Sequence, residues 1–156
     1  MTKPNTPAGK ALTDLKIPFI EFQHASQVSS IEQAAAERNQ EVSQVVRSIL
    51  FRCGQGDFFM VLVAGKGKLD WKALRQHFKR SRLTTATPEE VIEVTGCPIG
   101  TVNPFNLPPE IPLLVENSVL AQPSVSLGSG VHGIAIMITT KNLLKALGTH
   151  EIGKFS

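Results

Sequence analysis

Two apolar, β-branched runs separated by Gly54-Gln55-Gly56-Asp57 constrain this chain more than any other feature. The first, Val45–Cys53, and the second, Phe58–Val63, have strand composition, and the tetrapeptide between them supplies turn chemistry. An antiparallel hairpin follows, and it rules against a purely parallel doubly wound sheet.

The flanking segments carry helix signals. Thr6-Pro7 is a cap with a first-turn proline ahead of Ala8, Ala11, Leu12 and Leu15, and Pro18 ends that pattern. Ile20, Phe22 and His24 alternate as on a half-buried strand, and Ser30 with Gln33 opens a helix over Ile31–Arg38. Asp70 caps a helix with Trp71, Leu74 and Phe78 inward, and Thr87-Pro88-Glu89-Glu90 starts another that stops at Gly96. After the loop Cys97–Pro109 come a strand over Ile111–Val115, a glycine turn at Gly128–Gly130, a strand over Ile134–Ile138 and a helix over Lys141–Leu147. The expected fold is α/β, a compact mixed sheet with surrounding helices. At 156 residues it is expected to form one domain, 1–156, with loose ends at about 1–6 and 149–156.

Composition excludes several classes. Hydrophobic residues make up 42% and charged ones 19%, so the chain can build a core. No apolar run reaches the roughly 20 residues of a membrane helix, and MTKPNTPAGK lacks a signal-peptide core, so no membrane association and a cytoplasmic location are expected. Cys53 and Cys97 provide neither a disulfide framework nor zinc spacing, so no metal is expected. Dinucleotide, P-loop, GxSxG and HExxH motifs are all missing.

Cations cluster in one window, where Lys66, Lys68, Lys72, Arg75, Lys79, Arg80 and Arg82 face the single acid Asp70. Such a run is either a solvated face or the footprint of an anionic partner. Two segments are dense in glycine, Gly96–Phe105 and Ser126–Gly133, and backbone of this kind can approach a ligand closely and aim N–H groups at it. His132 lies inside the second. Arg47 is the one charge within Val45–Phe51, on a face with Val45, Ile49 and Phe51, and must pair internally or reach an anionic ligand. Nothing in the sequence sets a base beside Cys97, and His24, His77 and His150 read as structural.

Four ordered features resemble the YbaK/prolyl-tRNA-synthetase-associated family. They are the strand Val45–Arg52, the following Val61-Leu62-Val63-Ala64-Gly65, the GxxxP element Gly100–Pro104, and the Gly128–Gly133 loop before the last strand and helix. The resemblance spans about Pro18 to Leu147. It implies a partly barrel-like sheet and a cofactor-free hydrolysis of the ester between a mistaken amino acid and the terminal adenosine of tRNA. Catalytic roles then fall to His132, Arg47 and Gly100, and substrate contacts to Asn103, Pro104, Phe105, Gly128, Ser129 and Gly130. Lys66, Lys68, Lys72, Lys79 and Arg80 would contact RNA.

Mischarged tRNA, tRNA for proline carrying alanine or another small amino acid, is the implied substrate. Prolyl-tRNA synthetase is a candidate partner, and DNA is not expected. The family's strand lysine matches Arg47, and Asn106 stands where relatives often have glycine. Arginine keeps the charge but cannot serve as a base. Two alternatives stay open on the same fold, an inactive module that binds the tRNA end and a pocket for a small molecule.

Overall fold

The computed structural model describes residues 5–156. In chain order the elements are α1 (Pro7–Asp14), β1 (Ile20–Gln23), α2 (Ile31–Glu37), β2 (Val46–Gly54), β3 (Asp57–Ala64), α3 (Trp71–Phe78) and β4 (Thr84–Thr85). They continue with α4 (Pro88–Thr95), β5 (Leu113–Glu116), β6 (Ser124–Gly128), β7 (Ile134–Thr139), α5 (Thr140–Ala146) and β8 (Glu151–Gly153). One sheet has the order β1-β7-β6, the other β4-β2-β3-β5-β8. A parallel bridge from Val45 to Ser126 joins them, giving the mixed, partly barrel-like arrangement.

The β2–β3 hairpin is the centre of the larger sheet, in register from Val46↔Ala64 to Arg52↔Phe58. Alternation along β2 divides its side chains between two cores. Val46 and Leu50 join Met60, Leu62, Val115, Leu127, Ile136 and Leu143 between the sheets. Phe51 joins Phe59, Val61, Leu74, Leu114 and Phe155 on the opposite face. β3 is therefore covered on both sides, which is why its sequence is a continuous apolar run.

On that second face Phe51 stacks on Phe59 at 5.3 Å, and Phe59 on Phe78 at 3.9 Å. These rings and Leu74 anchor α3, each buried side chain contributing about 1.5–3 kcal/mol.

Local signals set the helix starts, including one at Thr139 that begins α5 a residue ahead of the expected Lys141. Thr6, Ser30, Asp70, Thr87 and Thr139 each accept an N–H bond at a helix start, and Thr87 with Glu90 forms a reciprocal capping box. Gly96 closes α4 with φ of 74°, a left-handed conformation that glycine adopts without strain.

Three expectations need correction. The glycine turn expected at Gly128–Gly130 does not include Gly128, which closes the strand β6 opposite Ala135 of β7. The strand expected from Ile111 begins at Leu113, with the Pro112 carbonyl accepting from Met60 N at 2.9 Å.

The ends expected to be loose are held. Residues 1–4 lie outside the described residues, but Thr6 is fully buried. β8 pairs in parallel with β5, and Phe155 packs into the second core. Buried Glu116 fixes this tail, with Oε2 accepting from Phe155 N at 3.1 Å and Oε1 from Ser118 N at 3.0 Å.

Candidate functional site

β4 pairs with β2 only at Phe51 and Arg52, so the outer edge of β2 from Val46 to Ile49 is left open. A cleft of about 1100 Å³ runs along this edge. α2 and its C-cap contribute Ile31, Ala34 and Arg38, the first glycine segment contributes Ile99–Val102, and the second, with the start of β7, contributes Leu127, Gly128 and Val131–Ala135. Among the described residues two arginines and two histidines line it, and no carboxylate does. Its charge is therefore positive.

The two glycine segments are stitched to each other. Gly130 N donates to Thr101 O at 2.8 Å, and Ala8 N of α1 donates to Ser129 O at 3.0 Å. A Cβ on Gly128 would stand 2.5 Å from Val102 O and 2.6 Å from Thr101 O. This glycine is needed for the approach of one loop to the other. At Gly100, φ is 86° and a Cβ would meet nothing within 4 Å, so its backbone lies against open space.

Of the residues expected to act, Arg47, Gly100, Gly128 and His132 line the same cleft. Asn103, Pro104, Phe105, Ser129 and Gly130 do not line it. Asn103 is buried and works inside its own loop, accepting from Phe105 N at 2.9 Å and donating to Cys97 Sγ at 3.6 Å. Ser129 is buried as well, its hydroxyl donating to Ile134 O at 2.6 Å. Both hold the cleft wall from behind.

His132 is exposed at the rim, with no hydrogen-bond partner among the described residues. Arg47 donates from Nη2 to Gly67 O, while its Nε is buried without a partner. Its guanidinium thus ties β2 to the loop that leads into α3.

One constellation was not legible in the sequence. His24 Nδ1 lies 2.8 Å from Glu37 Oε1, Arg38 Nε donates to His24 Nε2 at 3.1 Å, and Arg38 Nη1 donates to Ser126 Oγ at 2.9 Å. Arginine has no acceptor, so Nε2 must be the unprotonated nitrogen and Nδ1–H points to Glu37. The bond from His24 lowers the Glu37 pKa, with Gln33 adding to it, while burial lowers those of Arg38 and Arg47. His24 N also donates to Gly133 O at 2.8 Å, which links the network to the His132 loop.

The basic window splits in two. Lys66 pairs with Glu32 of α2, and Arg80 pairs with Asp57 at 3.0 Å. Among the described residues Lys68, Lys72, Arg75, Lys79 and Arg82 have no carboxylate within 4.0 Å. No group of three His, Cys, Asp or Glu among the described residues is arranged to hold a metal, and no helix there is long and apolar enough to cross a membrane.

This architecture is shared with known proteins. A protein proposed as a trans-editing enzyme for prolyl-tRNA synthetase superimposes with a TM-score of 0.83 at 25% identity, covering 98% of this chain and 99% of that one. The uncharacterized protein YwhH of Bacillus subtilis is 34% identical over 125 residues, 79% of this chain and 76% of its own. The proline–tRNA ligase of Thermosipho melanesiensis is 29% identical over 112 residues, 64% of this chain but only 20% of the ligase, so the chain spans about a fifth of that enzyme. The family profile described as the aminoacyl-tRNA editing domain matches residues 25–146, and the chain belongs to that family.

Proposed function

We propose that the chain is a trans-acting deacylase in the cytoplasm that hydrolyses the ester of mischarged tRNA, on tRNA for proline carrying alanine or another small amino acid. The observation that carries this reading is the cleft itself, which gathers Gly100, His132 and two arginines with no carboxylate. An aminoacyl ester is already activated and needs chiefly positioning, a water and donors for the oxyanion.

Water adds to the ester carbonyl, and the oxygen that becomes negative takes its backbone donor from Gly100, since the Thr101 N–H already donates to Pro98 O at 3.0 Å. His132 orients the water and passes its proton to the departing ribose hydroxyl as the carbon–oxygen bond breaks. Arg47 holds the anionic end of the tRNA. Prolyl-tRNA synthetase is the protein partner this substrate suggests.

Single-turnover deacylation of a panel of mischarged tRNAs tests the reading. His132→Ala and Arg47→Ala should each slow the favoured substrate about tenfold or more with the fold intact. Neighbours acting together are not additive, so the double variant should lose less than the product of the two effects. Parental rates in both single variants would remove these residues from the site.

One observation favours a second reading, a binding module without turnover. The Arg47 guanidinium is engaged by Gly67 O and cannot act as a base. Tight binding of the tRNA end without hydrolysis across the panel would select that reading.

RNA contact along α3 is expected from Lys72 and Lys79, with Lys68 ahead of the helix. Arg80 and Lys66 reach phosphates only by leaving their carboxylate partners. Binding should weaken with salt at a log–log slope of roughly −0.7 to −0.9 per phosphate neutralised. Neutralising Lys72, Lys79 and Arg80 together should make that slope shallower, and an unchanged slope would leave the cluster as a solvated face.

A further inference from the structure

Arg38 is half-buried in the wall of the cleft, yet among the described residues no carboxylate approaches within 4.0 Å of it. Its Nε is committed to His24 and its Nη1 to Ser126. Nη2 has no protein acceptor among the described residues and is not among the nitrogens sealed from solvent. Glu37 is turned to His24 and Gln33 and influences Arg38 only at a distance. A guanidinium withdrawn from water and left without a counter-charge is stabilised by any oxygen acceptor that enters beside it.

A second observation points the same way. Ser48 lines this cleft from the open edge of β2, and its Oγ is buried with no partner. The cleft therefore contains a buried hydroxyl without a partner and a solvent-reachable guanidinium nitrogen with no protein acceptor among the described residues. Arg38 is also tied to the proposed reaction centre, because its partner His24 donates from its backbone to Gly133, next to His132.

We propose that Arg38 determines specificity by reading the aminoacyl side chain, so that the cleft favours a small amino acid ending in an oxygen acceptor, a carboxylate binding best, over alanine. The inference rests on the reading of this cleft as the aminoacyl site. Phosphates of the tRNA are matched by the exposed cations of α3 and its flanks, whereas the inward position of Arg38 suits the group that enters the cleft.

The test uses amide-linked aminoacyl-adenosines without a 5′-phosphate, which bind but cannot be hydrolysed. The parental protein should bind the aspartyl compound about tenfold or more tighter than the alanyl compound, since a site built to hydrogen-bond a group penalises its absence. Arg38→Met should erase that difference and leave alanyl binding intact, and Arg38→Lys should retain part of it. Equal affinities in the parental protein, or no binding of either compound, would overturn the proposal, and this comparison stands even if Arg38→Met does not fold. A parallel loss for both compounds in a folded Arg38→Met would show a purely structural residue. If only 5′-phosphorylated probes gain affinity through Arg38, the oxyanion is a phosphate and the side-chain assignment fails. Deacylation of the tRNA panel separates this from the proposed function: preferential binding without hydrolysis sinks the enzyme and keeps the specificity, whereas hydrolysis of alanyl-tRNA together with equal binding of the aspartyl and alanyl compounds does the reverse.

Discussion

Gly128→Ala is expected to abolish most of the deacylation while leaving a folded but weakened protein. The added methyl would lie 2.5 Å from Val102 O and 2.6 Å from Thr101 O, and both neighbours are backbone rather than the ends of flexible side chains. The loop Ile99–Val102 must then retreat, and it carries Gly100 and part of the cleft wall. Overpacking of this kind costs about 1–3 kcal/mol in stability. The larger effect is geometric, because displacing a reacting group by about 1 Å costs roughly 100-fold in rate. Thermal melting with single-turnover kinetics checks it. A variant with parental rates would show that the contact between the loops does not set the site.

Glu116→Gln is expected to give the largest loss of stability among near-isosteric changes. The carboxylate is buried and accepts from two backbone N–H groups, Ser118 and Phe155, one on each oxygen. An amide can accept on one side only and turns an NH2 group toward the other donor. Leaving a buried donor unsatisfied costs about 1–3 kcal/mol, a fall of roughly 2–4 °C in Tm per kcal/mol for a chain of this size.

The pH dependence has a definite sign. Burial raises the Glu116 pKa, but the bonds from Ser118 and Phe155 outweigh it, and the net folded value lies below the ordinary carboxylate value. Its stabilisation is therefore fully present above the unfolded pKa and is lost as pH falls through the lower, folded one. Denaturant titrations between neutral and acidic pH should show a steeper acid loss in the parental protein than in Glu116→Gln. Parallel curves would mean that Glu116 carries no linked proton.

What the sequence carries of the fold divides along the range of the interactions. Helix starts such as Thr87-Pro88-Glu89-Glu90 and the β2–β3 hairpin depend on neighbours a few residues away, and these were legible. β8 was not, because Glu151–Gly153 has no periodicity of its own and becomes a strand only beside β5. β6 was hidden for a related reason: its glycine end read as a turn, whereas Gly128 is the last ladder residue, opposite Ala135.

The site divides in the same way. Arg47 stood out as a lone charge in an apolar run, but the run could not show that Gly67 accepts from it. His24, Arg38 and Ser126 are dispersed over β1's exit, α2's end and β6, and only the tertiary fold assembles them.

The two walls of the cleft are built differently. On one side α1, the loop around Thr101 and the loop after β6 share main-chain bonds, Ala8 N to Ser129 O and Gly130 N to Thr101 O. On the other, α2 is seven residues long and is tied across to its surroundings through side chains, Glu32 to Lys66 and, from the capping residue after it, Arg38 to Ser126. Segments joined through the main chain open together and protect their amide protons as one cooperative unit, while a short helix held by side chains opens at lower free energy. In native-state hydrogen exchange the amides of Ala8 and Gly130 should therefore behave as one slow class, and those of α2 as a separate, faster one. The glycine-loop wall then acts as the fixed template of the cleft, and adjustment to an incoming amino acid falls to α2.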